Sequence, residues 1–125
     1  MSKSATSVLV FGIYLIVIGL GFLFMPNTVL SLFGIPATTE PWIRVVAMLL
    51  LILSYYYIQT ARNEDKAFFR FTVHGRAAVI VFFLVFVLLN IAPAPLILFG
   101  VVDLLAAIWT GLALRSESEP VFKFS

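Results

Sequence analysis

The chain has 125 residues, 62% hydrophobic and only 11% charged, with a formal net charge of +2 and no cysteine. A soluble domain is about 45–50% apolar and about 25% charged, and one this short leaves much of its surface in water. Composition therefore points to a membrane and leaves no room in these residues for a soluble domain, a sizeable disordered tail or a dedicated nucleotide-binding fold. Without cysteine there is no disulfide, thiol catalysis, zinc–thiolate site or iron–sulfur ligation.

A spanning helix takes roughly 20 apolar residues, and four such stretches follow one another. The first, about 7–25, carries no charge, and no small-residue cleavage pattern follows it, so it is expected to remain as an anchor. Pro26 ends it, because proline disfavours helix in the residue before it. Asn27 is expected to cap a short helix over 28–33, closed by Gly34 and Pro36. Its Val29, Leu30, Leu32 and Phe33 are too apolar for water and too few to span, which lays it in the outer interface.

The second span, about 42–61, opens on Thr39 as a cap, Glu40 at the positive helix end and Pro41 in the first turn. Arg62, Asn63, Glu64, Asp65 and Lys66 end it as a solvated turn. The third span, about 71–91, follows an amphipathic lead-in over 67–70 and stops at Ala92-Pro93-Ala94-Pro95. The fourth covers about 96–114, and residues 115–125 form a short polar tail. The expected fold is all-α, a single domain over 1–125: a four-helix transmembrane bundle with a short interfacial helix between helices one and two.

Lys3, Arg62, Lys66, Arg70, Arg76, Arg115 and Lys123 fall on one side of these spans and only Arg44 on the other. That bias sets both termini in the cytoplasm, and the expected location is a bacterial cytoplasmic membrane. The basic residues read as loop markers, with no nucleic-acid partner, because no basic run is interleaved with aromatics. The stretch from Pro26 to Ile35 resembles that from Pro93 to Val101, one residue out of step, each carrying Leu-Phe-Gly after an outward-running helix.

An ionisable group inside a bilayer costs about 2.5–3.5 kcal/mol even on an insertion scale, so it needs a partner or a wet cavity. Asp103 is the clearest case. It lies about 12 Å from the outer boundary at helical rise, on a stripe of Gly100, Asp103, Ala107, Thr110 and Leu114 that suits a helix–helix face. It reads either as a proton-carrying or ligand-binding carboxylate or as half of a structural ion pair. Its candidate partners are Arg44, one turn into the second span from outside, and Arg76, which enters the third from inside. Either can instead snorkel to its own interface. Tyr14 stands at about the depth of Asp103 and is a hydrogen-bond candidate for it. Tyr55, Tyr56 and Tyr57 point in three directions, so at most two share a cavity. His74 is the only histidine; it reads as interfacial or as a proton-transfer group. No metal-ligand cluster stands out.

Several of these residues resemble a known group. Gly-rich first helix, Met25-Pro26, Leu32-Phe33-Gly34, Glu40-x-Trp42-x-Arg44 and Asp103-Leu-Leu-Ala106-Ala107-x-Trp109-Thr110 together resemble the DoxX-like small four-helix membrane proteins, over about residues 8–115. Some members serve as quinone-linked oxidoreductase subunits, so the resemblance implies a lipophilic ligand in the bundle. It transfers no catalytic role onto Arg44, Arg76 or Asp103.

Three functional readings follow. The first is a membrane module, an enzyme or a subunit of one, that binds a lipophilic quinone, lipid or isoprenoid type of molecule in a polar pocket inside the bundle. In it Arg44 positions an anionic or carbonyl oxygen, Asp103 takes a proton or orients a hydroxyl, and Tyr14 or Tyr55 donates hydrogen bonds. The second is a dimeric proton-coupled transporter, similar in size and helix number to small multidrug exporters. Those carry an essential glutamate in the first helix, where this chain has no acid. The third is a non-catalytic assembly subunit. The bilayer is a partner in all three, self-association into a homo-oligomer is open, and no cofactor is specified. A cavity reaching the lipid favours the first reading, openings to both aqueous sides the second, and a buried dry Arg–Asp pair the third.

Overall fold

The computed structural model describes residues 1–118, which form five α-helices and, among them, no strand. Lys123 and the rest of 119–125 lie outside the described residues. Helix α1 (Lys3–Phe24) starts before the apolar run because the Ser2 hydroxyl caps it, accepting the Ala5 N–H at 3.1 Å. Met25 leaves the helix ahead of Pro26, as a residue before proline does. Pro26 then opens α2 (Pro26–Leu32) at its first position. This corrects the expected cap: proline suits the first helical position, so the helix starts one residue ahead of Asn27 and Met25 takes the cap position. Asn27 sits inside the helix, and its side-chain oxygen accepts the Thr38 N–H at 2.8 Å, tying down the following loop.

Helix α3 (Trp42–Arg62) starts behind Pro41 with no side-chain cap. Thr39 does not cap it; the neighbouring Thr38 hydroxyl accepts the Glu40 N–H. Helix α4 (Lys66–Leu88) begins three residues after α3 ends, because the Asp65 carboxylate accepts the Phe68 N–H at 3.2 Å. The expected lead-in over 67–70 is thus ordinary helix. Both α3 and α4 close on a left-handed residue, Glu64 (φ 53°) and Asn90 (φ 61°). In each case the next N–H returns to a carbonyl of the last turn, Asp65 to Thr60 and Ile91 to Phe86. A 3-10 turn, Ala94–Leu96, leads into α5 (Ile97–Ser118), which runs beyond the expected end at 114.

Helix α1 is central. It packs along α3 and against α5, and α5 packs along α4. The backbones of α3 and α4 stay apart although Tyr57 and Phe68 meet edge-on at one end, 5.5 Å between ring centroids, so the order around the bundle is α3–α1–α5–α4 with a seam between α3 and α4. Close approach depends on small residues. A methyl group at Gly19 would come within 3.0 Å of Leu51, and one at Gly100 within 3.1 Å of the Ile80 backbone.

The buried core falls into two clusters. Ala5, Val8, Phe11, Leu15, Tyr57, Ala61 and Phe69 fill one end of the bundle; Phe22, Leu30 and Ala47 fill the other. Much of the remaining apolar surface faces outward, including Val17, Phe82 and Leu105. The four long helices are long and apolar enough to cross a membrane, so the outward face matches lipid.

Polar side chains gather at one end. Glu64 accepts the Ser2 N–H at 2.8 Å and the Ser2 hydroxyl. Glu117 accepts the Ser4 N–H at 2.9 Å and is paired with Lys66, which also donates to the Ser4 hydroxyl. The start of α1, the α3–α4 turn and the end of α5 are therefore fastened together. Both ends of the described chain lie on the same side of the bundle, as four spans require.

Candidate functional site

Between the two core clusters lies a cavity of about 410 Å³. Tyr14, Leu15, Ile18 and Phe22 of α1 form one wall, and Ile43, Val46 and Leu50 of α3 another. Phe83 of α4 and Leu96, Phe99 and Asp103 near or on α5 complete it. Leu30 of α2 and Ile35 of the loop after it cover the far end. Phe33 stacks on Phe99 there, ring centroids 4.2 Å apart. The two Leu-Phe-Gly stretches thus meet at this end.

The cavity is lined by apolar residues except at one end, where Asp103 and Tyr14 line it. Asp103 is half-buried, on the face of α5 that also carries Gly100, Ala107 and Thr110, all three buried. No described residue donates a hydrogen bond to its carboxylate or to the Tyr14 oxygen. Arg76 and Asp103 feel each other's charge, but they are not in ion-pair contact.

Arg76 is 3% exposed and has a site of its own. Its Nε donates to the Thr72 carbonyl at 3.2 Å, and its Nη2 donates to the Thr72 and Thr110 hydroxyls at 3.1 and 2.9 Å. The guanidinium carbon stands 4.9 Å from the centre of the Phe11 ring and 5.6 Å from that of Tyr57, which suits a cation in a low-dielectric interior. Nη1 alone has no partner. Ser7 Oγ lies 2.7 Å from Thr110 Oγ1. Because Ser7 donates to the Ser4 carbonyl, Thr110 must donate to Ser7 while accepting from Arg76. The result is a directed hydrogen-bond ladder from α4 through α5 to α1.

The other candidates lie elsewhere. Arg44 is exposed, and its Nε donates to the Leu23 carbonyl at 3.1 Å. It continues the α1-facing stripe of Ala47 and Leu51 past the point where α1 ends, so it meets an unpaired carbonyl of the last turn. It does not line the Asp103 cavity. Tyr55 and His74 are exposed. Of the three adjacent tyrosines, Tyr57 turns inward, 5% exposed. Sequence reasoning missed Thr72, Ser7 and Phe11. Their signals are positional: Thr72 precedes Arg76 by one helical turn, and Ser4, Ser7 and Phe11 share one stripe of α1.

No protein-family model, curated protein or solved structure matches the chain.

Proposed function

We propose that this chain is a membrane module that holds a lipophilic small molecule, of quinone, lipid or isoprenoid type, in the cavity between its helices. One observation carries the reading: an apolar chamber of about 410 Å³ with its polar groups, Asp103 and Tyr14, at one end. That size falls within the roughly 300–1,000 Å³ of small-molecule sites, which pair apolar walls with a few placed polar groups. The seam between α3 and α4 supports sideways access from the bilayer, because these helices are not packed shut against each other. The unpaired state of Arg76 and Asp103 speaks against a purely structural ion pair. We further propose that the chain is a DoxX-like protein, with both termini cytoplasmic, on the residues that carry the resemblance.

The test is native mass spectrometry of protein extracted with its own lipids, compared with Leu50→Trp, which fills the cavity from α3. A lipophile retained by the parent and lost from a folded Leu50→Trp variant is the expected result. Retention equal in both would remove the cavity from the function.

A further inference from the structure

The polar end of the cavity is more selective than its walls. Asp103, when ionised, only accepts hydrogen bonds; Tyr14 can donate one. Both residues line the cavity, and neither side chain is hydrogen-bonded to another described residue. A polar group that faces an apolar cavity gains from a partner placed there, so a guest that satisfies both is favoured over one that satisfies one. A ketone or ester oxygen can accept from Tyr14 but offers nothing to Asp103. An alkane serves neither. A hydroxyl does both, donating to Asp103 and accepting from Tyr14.

Charge narrows the choice. Arg76 is held by Thr72 of α4 and by Thr110 of α5, and Thr110 lies seven residues, about two turns, along α5 from Asp103. Arg76 thus places one positive charge in the bundle, fixed by its own hydrogen bonds and out of ion-pair contact with the carboxylate. A cationic head would leave the interior with a surplus positive charge. An anionic head would face the Asp103 carboxylate directly. Both cost desolvation that a neutral head avoids.

Building on the proposed lipophile site, we infer that its ligand is a neutral lipophilic alcohol or phenol, whose hydroxyl bridges Asp103 and Tyr14 while its apolar part lies toward Phe99 and Leu30. The class includes isoprenoid alcohols and the hydroxyl-bearing form of a quinone.

The experiment uses the full chain in phosphatidylcholine nanodiscs with four probes of equal tail: 1-dodecanol, dodecanoate, dodecylamine and dodecane. Retention is read by native mass spectrometry and by the shift in melting temperature. The parent should retain dodecanol at no more than about one-tenth the concentration needed for dodecane, because the hydroxyl makes two hydrogen bonds that the alkane lacks. Asp103→Leu should cut that preference severalfold while still holding the alkane, and Asp103→Leu combined with Tyr14→Phe should erase it. Tyr14→Phe should reduce it severalfold, and Asp103→Asn, which keeps an acceptor, should reduce it less than Asp103→Leu. Preference for dodecylamine or dodecanoate, no advantage of alcohol over alkane, or an advantage undiminished in Asp103→Leu would each overturn the inference and leave the cavity as a lipophile site. Failure of the parent to hold any of the four probes would overturn the cavity reading as well.

Discussion

Arg76 and Thr110 come from different helices and meet in a 2.9 Å hydrogen bond inside an otherwise apolar bundle. The pair joins α4 to α5, and the 2.7 Å contact from Thr110 to Ser7 extends the joint to α1. An interior arginine is kept as a cation here by hydroxyls and ring faces, without a carboxylate in contact. That leaves Asp103 unpaired and free to serve the cavity.

Thr110→Val keeps shape but removes the hydroxyl that both accepts from Arg76 and donates to Ser7. It should cost about 1–3 kcal/mol, the range for leaving buried polar groups unsatisfied. Arg76→Leu should cost less, because it removes the buried charge together with its bonds and leaves Thr110 and Ser7 bonded to each other. Thermal unfolding of both variants in detergent checks the order. A larger loss for Arg76→Leu would show that the guanidinium itself holds the helices.

Asp103 should behave as a site residue and not as a structural one. Asp103→Asn and Asp103→Leu should unfold within about 1 kcal/mol of the parent, since neither breaks a hydrogen bond to another described residue. A drop of about 3–5 kcal/mol, typical when one partner of a buried pair is removed, would mean that Asp103 is the countercharge holding Arg76.

Gly19 and Gly100 should not tolerate side chains equally. A methyl at Gly19 meets the flexible Leu51 side chain, whereas one at Gly100 meets the Ile80 backbone. Gly100→Ala should therefore cost about 1–3 kcal/mol, as overpacking does, and Gly19→Ala less. Melting temperatures of the two variants decide this; equal values would mean that α4 can shift on α5.

The Ser2–Glu64 clamp should loosen in acid. The Ser2 hydroxyl, then the Ser2 N–H, hold the Glu64 carboxyl below the ordinary glutamate value of 4.5. The folded state thus favours the ionised form. This stabilisation is fully present above the unfolded-chain value and is lost as pH falls through the lower folded one. Hydrogen exchange at the first turn of α1 should speed up as pH drops below about 4.5, after correction for intrinsic rates, and Glu64→Gln should flatten that dependence. An unchanged profile in the variant would place the acid sensitivity elsewhere.

Topology can be checked by cysteine labelling in intact cells. Asn63→Cys and Ser116→Cys should be shielded from an impermeant reagent and Thr38→Cys should react. Reaction at Ser116→Cys from outside would contradict cytoplasmic termini.

Several features were legible before any packing was known. Four apolar runs of spanning length can satisfy their backbone in a bilayer only as helices, so their number and order follow from local composition. Pro26 splits α1 from α2 because a ring without an N–H cannot continue a helix. The stripe of Gly100, Asp103, Ala107 and Thr110 marked one face of α5 as inward, and the structure buries Gly100, Ala107 and Thr110. Local rules did not separate Arg44 from Arg76, since each is one basic residue near the end of an apolar run. Packing separated them: α1 ends beside Arg44 and leaves it a surface carbonyl, while Arg76 faces α5 and α1 with Thr72, Thr110 and two aromatic rings around it. The same holds for Tyr57 against Tyr55, whose inward or outward aim depends on which flank of α3 meets α1. The cavity itself belongs to no segment. It exists because α1 draws in α3 and α5, α5 draws in α4, and no close packing joins α3 to α4 across the remaining gap, a relation between distant residues that no stretch of sequence contains.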